Sequence, residues 1–313
     1  MRILVTGAAG MVGSHLTELL LARGDTVVGL DNLSTGRAAN VAHLEGEPGF
    51  LLIDGDITDA AALHGIGPID AVCQLASPAS PADFATMPSE ILRAGSIGVL
   101  NTLDLARSCN ARYLLASTSE VYGEPLVHPQ PETYLGNVST TGPRACYDES
   151  KRFAEAAVST YARSFGVDTA IVRIFNTYGP RMRINDGRVV SNFVVQALLG
   201  HPLTVQGDGS QTRSFCFVED QARGLAAMLD SAEPGPINIG NPCEMTVLQL
   251  AQRILDLSGS EATIEFRPLP QDDPTQRRPD ITAADERLGW GPTTGLDEGL
   301  ERTIAYFRRQ LIA

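Results

Sequence analysis

The stretch TGAAGMVGSHL, residues 6–16, decides the fold expected for this chain. It follows a short apolar run at the N-terminus and leads into a helical segment from about Val12 to Arg23. Gly7 permits a tight turn, Gly10 lets the backbone approach a pyrophosphate, and Gly13 lets the helix pack closely against the strand. The helix N-terminus adds unpaired N–H groups and a favourable dipole for phosphate. The stretch therefore predicts a strand–turn–helix unit that binds a dinucleotide.

An acidic residue, Asp31, ends the next apolar run, TVVGLD. A carboxylate at this point can accept hydrogen bonds from the ribose hydroxyls of NAD, and it repels the additional phosphate of NADP. Arg37 lies nearby and leaves NADP as an alternative. The position of Asp31 favours NAD as the cofactor.

Apolar strand-like runs alternate with helical segments through the first half of the chain. After TVVGLD the runs are FLLIDGD, DAVCQLAS, RYLLAST and TAIVRIF, and the helical segments include residues 91–107 and 147–164. Repeated β-α-β units with fully apolar strands predict an α/β fold of the Rossmann type. Its doubly wound parallel sheet is expected to carry helices on both faces.

The pattern becomes irregular in the second half, where polar segments containing Gly, Pro and Arg separate apolar helical segments at 189–199, 246–257 and 297–311. This half is predicted to form a smaller lobe that completes a ligand cleft. We expect an NAD-binding domain at residues 1–179 and a mainly C-terminal substrate-binding lobe at residues 180–313. Some later segments are expected to return to the first domain.

Composition excludes several classes of function. The net charge of -13, without a basic run, argues against nucleic acid as a partner, because phosphate backbones require Lys and Arg. The five cysteines are scattered and lack CxxC spacing, which indicates a reducing, cytoplasmic location, and the five separated histidines predict no metal site. The chain opens on a strand instead of a signal peptide, and no apolar run approaches the roughly 20 residues of a membrane-spanning helix. We therefore expect no membrane association.

Two residues with complementary chemistry lie four positions apart in CYDESK (146–151). On a helix, Tyr147 and Lys151 share one face and reach a common ligand. A tyrosine of ordinary pKa near 10 is a poor base at neutral pH, so a lysine that stabilises the phenolate would make it effective. The pair predicts a tyrosine base, with Lys151 also holding the nicotinamide ribose.

Hydroxyl groups and a carboxylate end the strand-like run LLASTSEVYG (114–123). The carboxyl end of a parallel strand is where such folds place their ligands. Thr118 or Ser119 is expected to hydrogen-bond the reacting hydroxyl of the substrate. Glu120 is interpreted as a group that orients a water or carries a proton, with a structural carboxylate at a turn as the alternative.

Residues 6–16, 117–120 and 147–151 together resemble the extended short-chain dehydrogenases/reductases that act on nucleotide sugars, in which the glycine spacing is GxxGxxG. Longer matches resemble the UDP-glucuronate decarboxylase, or UDP-xylose synthase, family within that group. They are LASPASP (75–81), ASTSEVYG (116–123), GPRACYDESKR (142–152), RIFNTYGPRM (173–182), NDGRVVSNF (185–193), GSQTRSF (209–215) and QDDPTQRRPDI (271–281).

The resemblance implies two sets of binding residues. The NAD set comprises Gly7, Gly10, Met11, Val12, Gly13, Asp31, Asn32, Ser34, Thr35, Gly36, Asp56, Ile57, Leu75, Ala76 and Ser77, together with Tyr147 and Lys151. The UDP-sugar set comprises Pro78 and Ser80 at the sugar carboxylate, Glu120, Asn176 near the diphosphate, and Arg213 and Arg277 at the pyrophosphate. Arginine suits phosphate because its guanidinium binds two oxygens at once. Arg188 is assigned no role.

The implied reaction converts UDP-glucuronic acid through a 4-keto intermediate and carbon dioxide loss into UDP-xylose, with Thr118, Glu120, Tyr147 and Lys151 as the catalytic group. The first alternative is a UDP-glucuronate 4-epimerase, or another nucleotide-sugar 4-epimerase, which shares the fold, NAD and the intermediate. A remote alternative is a non-catalytic NAD sensor. The resemblance also implies a homodimer formed through helices near 91–107 and 151–164.

Three positions depart from the family pattern. Gln74 replaces a common histidine before LAS, AGSIG (94–98) replaces a more usual TNTIG, and Ser150 replaces a usual glycine beside Lys151. None of these departures removes a reacting group.

Overall fold

Fourteen strands are present in the computed structural model, which describes residues 1–269 and 275–312. They are β1 (Arg2–Thr6), β2 (Thr26–Asp31), β3 (Phe50–Asp54), β4 (Ala71–Gln74), β5 (Arg112–Thr118), β6 (Thr169–Ile174), β7 (Thr177–Tyr178), β8 (Leu203–Gln206), β9 (Thr212–Ser214), β10 (Cys216–Phe217), β11 (Ile237–Ile239), β12 (Glu244–Thr246), β13 (Ile264–Arg267) and β14 (Gln276–Arg277).

Helices connect these strands. They are α1 (Met11–Ala22), α2 (Pro81–Thr86), α3 (Pro88–Arg93), α4 (Val99–Cys109), α5 (Ala145–Phe165), α6 (Val189–Leu199), α7 (Val218–Asp230), α8 (Val247–Ser258), α9 (Thr282–Leu288) and α10 (Leu296–Ile312). Among the described residues, no helix combines the length and the apolar character needed to cross a membrane.

The central sheet has seven parallel strands in the order β11-β6-β5-β4-β1-β2-β3. The order reverses between β1 and β4, and ligands of doubly wound sheets bind outside the strand ends at such a reversal. The predicted Rossmann-type α/β sheet is confirmed. Its buried strand residues explain the continuous apolar runs of the sequence.

Two apolar layers cover the sheet. On one face, Leu16 and Leu20 of α1 belong to the same buried cluster as Leu225 and Leu229 of α7. The cluster on the other face contains residues of α4 and α5 together with Tyr113 of β5. Burial on both faces holds the carboxyl ends of β1, β4 and β5 at fixed positions beside the cleft.

A third cluster forms the core of the C-terminal half. It joins α6, α8 and α10, with Phe193, Ile254 and Phe307 fully or almost fully buried. Short strands surround it, because β8 pairs with β13, and β9 pairs with both β12 and β14. The last pairing brings Arg213 and Arg277 side by side in register.

The chain returns to the central sheet after residue 180. Strand β11 extends the sheet beside β6, and α7 packs on α1. The division of the chain into residues 1–179 and 180–313 stays a prediction. The helix expected at 91–107 is divided into α3, a π-turn at Ala94–Gly98, and α4.

Candidate active site

The glycine turn after β1 is packed too tightly to hold side chains. Gly7 has a φ of +70°, and a Cβ on Gly13 would lie 2.0 Å from the carbonyl oxygen of Gly7. A Cβ on Gly10 would lie 3.2 Å from the same oxygen. The turn thus presents bare backbone at the N-terminus of α1, as a pyrophosphate requires.

Asp31 ends β2, at the position predicted to bind the ribose hydroxyls of NAD. Its carboxylate accepts hydrogen bonds from the backbone N–H of Ala9 and of Leu33, each at 2.9 Å. A Cβ on Gly36 would lie 2.7 Å from the Asp31 Oδ1, so the neighbouring loop wraps closely around the carboxylate. Burial raises the pKa of Asp31, and the two backbone donors oppose that shift. The arrangement fits the ribose of NAD.

Most of the predicted cofactor residues line one cleft along the strand ends. They are Gly7, Gly10, Asp31, Asn32, Ser34, Thr35, Gly36, Asp56, Ile57, Leu75, Ala76 and Ser77. Gly13 packs against the turn, Met11 is buried in the cluster of the C-terminal half, and Val12 lines the neighbouring cavity. The cleft and the cavity share Leu75 and Ser77 as lining residues, so a ligand in one reaches the other.

The neighbouring cavity has a volume of about 410 Å³ and contains the predicted reacting groups. Strand β5 supplies Thr118, the 3₁₀ turn after it supplies Glu120, and α5 supplies Tyr147 and Lys151. Asn176, Arg213 and Arg277 also line this cavity. The structure therefore brings together the residues that the sequence analysis assigned to catalysis and to one part of the substrate.

Tyr147 and Lys151 share one buried face of α5. Lys151 donates from Nζ to the carbonyl oxygen of Ala116 at 2.9 Å, and Nζ lies 5.8 Å from the centre of the Tyr147 ring. Phe84 stacks on that ring at 5.0 Å and fixes its plane. Burial lowers the pKa of Lys151 to about 8, so the ammonium form predominates at neutral pH.

Burial has the largest effect on the pKa of Tyr147. It raises that pKa to about 12, and the charge of Glu120 adds to the shift, although a hydrogen bond with Thr118 and the charge of Arg188 oppose it. Lys151 donates to a backbone carbonyl oxygen, and its predicted effect on the pKa of Tyr147 stays a prediction.

Glu120 is held as a carboxylate by two arginines. Its Oε2 accepts from Arg144 Nη2 at 2.7 Å and from Arg277 Nη2 at 3.4 Å. Burial alone would raise the pKa of Glu120, but Arg277 and Arg144 outweigh burial and bring the pKa to about 2. The predicted role of Glu120, which is to orient a water or to carry a proton, stays a prediction, and in this structure the carboxylate is ionised.

Arg277 lies in the wall of the cavity, in register with Arg213 on the neighbouring strand. It is 1% exposed, and its Nη1 donates to the carbonyl oxygen of Ser119 at 2.8 Å. Its predicted contact with the pyrophosphate stays a prediction. The segment QDDP (271–274), which precedes Arg277 in the family match, lies outside the described residues.

Two of the predicted sugar-carboxylate contacts lie outside the cavity. Pro78 lines the cofactor cleft instead. Ser80 is buried, donates its hydroxyl hydrogen to the carbonyl oxygen of Asp186, and caps α2 by accepting from the Ala82 N–H. Its hydroxyl is thus used within the fold, and the contacts of Pro78 and Ser80 with the sugar carboxylate stay predictions.

Sequence reasoning missed Arg144 and left Arg188 without a position. Both line the cavity. Arg188 forms an ion pair with Asp186, and its charge lowers the pKa of Tyr147. The available signal for Arg144 was its spacing, three residues before Tyr147 at the start of the same helix.

A family model described as the NAD dependent epimerase/dehydratase family matches residues 3–240. This match covers the glycine turn, Asp31, β5 and the tyrosine–lysine pair. The chain belongs to this family.

Within the epimerase/dehydratase family, the chain is similar to UDP-glucuronic acid decarboxylases and to a UDP-glucuronic acid 4-epimerase. UDP-glucuronic acid decarboxylase 1 of Arabidopsis thaliana is 50% identical over 100% of this chain and 71% of its own length. The Danio rerio protein of the same name is 51% identical over 99% of this chain and 73% of its own length. A structure of UDP-glucuronic acid 4-epimerase from Bacillus cereus, with UDP-glucuronic acid and NAD, is 32% identical, with a TM-score of 0.89 over 99% and 100% of the two chains.

Two departures from the family pattern compensate for each other. A Cβ on Gly95, within AGSIG, would lie 2.6 Å from the Cβ of Ser150. The small residue in the π-turn therefore makes room for the larger residue beside Lys151. Gln74 is also accommodated, because it hydrogen-bonds the Thr6 hydroxyl and the Ala76 carbonyl oxygen at the strand ends.

Proposed function

We propose that this chain binds NAD and converts UDP-glucuronic acid into UDP-xylose and carbon dioxide. The observation that carries the proposal is its 50% identity over the full chain to a UDP-glucuronic acid decarboxylase. The site supports it, since Tyr147, Lys151 and Thr118 lie in one cavity with the carboxylate Glu120. The cleft beside Asp31 fits the dinucleotide, as the bare glycine turn indicates.

The residues of the cavity have distinct roles in this proposal. NAD in the cleft would supply the oxidising power by accepting hydride from C4 of the sugar and returning it later. Tyr147 takes the proton of the C4 hydroxyl, Thr118 hydrogen-bonds the C4 oxygen, and the Lys151 ammonium stabilises the phenolate. The buried position of Tyr147 makes that stabilisation necessary, because burial alone opposes the charged form.

Loss of carbon dioxide follows from the resulting ketone. The 4-keto sugar is a β-keto acid, so the electrons of the C5–C6 bond move into the C4 carbonyl when that bond breaks. Tyr147 and Thr118 then hydrogen-bond the enolate oxygen. Arg213 and Asn176, which line the cavity, are proposed to hold the diphosphate of the substrate.

An assay with the purified protein, UDP-glucuronic acid and NAD tests this function. The expected products are carbon dioxide and a UDP-pentose, lighter than the substrate by one carbon dioxide. A product of unchanged mass would contradict decarboxylation and support a 4-epimerase. That second candidate is favoured by one observation, the close fold match to the UDP-glucuronic acid 4-epimerase of Bacillus cereus.

We also propose that the protein forms a homodimer through α3, the π-turn after it and α5. Apolar side chains are exposed along these elements, with Leu92 47%, Ile97 44% and Phe153 44% exposed. Phe153→Asp would place a charge in the interface, so we expect light scattering to show a monomer where the unmodified protein is a dimer. Leu126→Asp, which changes an apolar residue elsewhere that is 78% exposed, is the control and should remain dimeric. A dimer that survives Phe153→Asp would contradict this interface.

A reducing, cytoplasmic location is proposed on the basis of cysteine chemistry. The five cysteines, all within the described residues, are free thiols. Cys73 and Cys216 are fully buried, and burial raises the pKa of each thiol. Localisation of a tagged full-length protein tests this proposal directly.

A further inference from the structure

Arg37 is a cation beside the cofactor cleft, and it is the residue that left NADP as an alternative in the sequence. It follows Gly36, and a Cβ on Gly36 would lie 2.7 Å from Oδ1 of Asp31. Ala9 connects the two segments, because its N–H donates to Oδ2 of Asp31 at 2.9 Å and its carbonyl oxygen accepts from the Arg37 N–H at 3.0 Å. The backbone of Arg37 is therefore fixed close to the carboxylate that is predicted to bind the ribose hydroxyls.

The side chain of Arg37 is bound to helix α10. Its Nη2 donates to the hydroxyl oxygen of Tyr306 at 3.2 Å and to Oε1 of Gln310 at 2.9 Å. Among the residues that the structure describes, Thr35 and Gly36 line the cofactor cleft and Arg37 does not. The guanidinium thus lies against the C-terminal helix instead of in the wall of the cleft.

Helix α10 holds the two acceptors at fixed positions. Tyr306 and Gln310 are four positions apart and share one face of the helix. Phe307, which follows Tyr306, is fully buried in the core of the C-terminal half, and Tyr306 packs against the same cluster. Both acceptors are neutral, so each hydrogen bond to Arg37 can be removed without leaving an unpaired carboxylate.

The ribose end of the cleft lacks a positive charge in this arrangement. Burial and the charge of Asp54 raise the pKa of Asp31, and the backbone N–H groups of Leu33 and Ala9 lower it. Within the described part of the chain, the groups that act on this carboxylate therefore include no cation. A guanidinium turned toward Asp31 would supply the positive charge that a phosphate on the ribose requires.

We propose that helix α10 determines the choice of dinucleotide by holding Arg37 away from the ribose end of the cleft. This inference rests on the proposed NAD cleft beside Asp31. Tyr306 and Gln310 are positioning residues, and the position of Arg37 decides how well NADP binds. The 2′-phosphate of NADP gains the guanidinium only after Arg37 leaves both acceptors, whereas the ribose hydroxyls of NAD need no cation.

The double variant Tyr306→Phe/Gln310→Leu tests the inference, because it removes both acceptors and nearly preserves the size of each side chain. NAD and NADP are titrated separately, and binding is followed by thermal unfolding. We expect the affinity for NADP to increase by about 10-fold, the equivalent of two neutral hydrogen bonds that no longer have to break. The affinity for NAD should stay unchanged. Gln310→Leu alone should give part of the increase, and adding Arg37→Met to the double variant should abolish it.

Gln252→Leu is the matched control, since it makes the same substitution on α8, where the amide of Gln252 donates to Asp256 of the same helix at 3.0 Å. It should leave both affinities unchanged. Equal changes in NAD and NADP affinity in the double variant would show that α10 only supports the loop, which would overturn the inference. An increase that persists after Arg37→Met would overturn it as well. If the unmodified protein does not bind NAD, the proposed function itself fails. If it binds NAD and the double variant binds NADP no better, this inference alone fails.

Discussion

Tyr147→Phe is expected to reduce turnover of UDP-glucuronic acid by about 1,000-fold or more, within the range measured for loss of a general acid–base group. The phenol is the group in the cavity positioned to accept the C4 hydroxyl proton, and Lys151 on the same face of α5 offers no substitute base while it is protonated. The ring stacks on Phe84 at 5.0 Å, so phenylalanine fills the same volume. Affinity for NAD should change little, because the adenosine end of its cleft is built from other residues.

Steady-state rates and NAD titration of the variant provide the measurement. Tyr113→Phe is the matched control, since Tyr113 is also fully buried but lies at the opposite end of β5 from Thr118, with its hydroxyl 3.0 Å from the Thr102 hydroxyl. That control should lose about 1 kcal/mol of folding stability and retain its turnover. Turnover of Tyr147→Phe close to that of the unmodified protein would refute the role of the phenol.

Gly13→Ala is expected to abolish NAD binding. The added Cβ would lie 2.0 Å from the Gly7 carbonyl oxygen and 2.8 Å from the Gly7 carbonyl carbon, both of which are backbone atoms. Backbone cannot rotate away as a flexible side chain does, so the turn and the start of α1 must separate. The phosphate cradle would then lose its geometry, and affinity should decrease by at least about 100-fold.

Titration with NAD, followed by its effect on thermal unfolding, measures this loss. Gly291→Ala is the control, because a Cβ at Gly291 would meet no atom within 4 Å and its φ is not in the left-handed region. It should bind NAD normally. A folded Gly13→Ala protein with unchanged NAD affinity would show that the turn is not the phosphate site.

Local patterns made a large part of this structure predictable. The glycine spacing at 7, 10 and 13 requires contact between residues only a few positions apart, and the structure has that contact between Gly7 and Gly13. The pairing of Tyr147 with Lys151 depends on helical periodicity alone, which the sequence also displays. Apolar runs identified six of the seven strands of the central sheet, because strands buried on both faces carry few polar residues.

The short strand β11 was harder to predict in detail. It contributes Ile237–Ile239 to the edge of the central sheet, far along the chain from its neighbour β6. Three residues, two isoleucines and the Asn238 between them, are too few to distinguish a strand from a loop by pattern. Residues 237–239 form a strand because they pair with β6.

The sequence alone determined the dinucleotide-binding unit, the parallel sheet and the tyrosine–lysine pair, because each depends on neighbours along the chain. Tertiary structure decided the protonation of the carboxyl groups. Arg277 reaches Glu120 across 157 positions, and Arg144 reaches it across 24, so no local pattern shows that Glu120 is held ionised. Whether a carboxyl group keeps its proton depends on burial and on the charges around it. For Glu120 and Asp148 these charges come from the turn after β5, the start of α5, β9 and β14, and they meet only after folding.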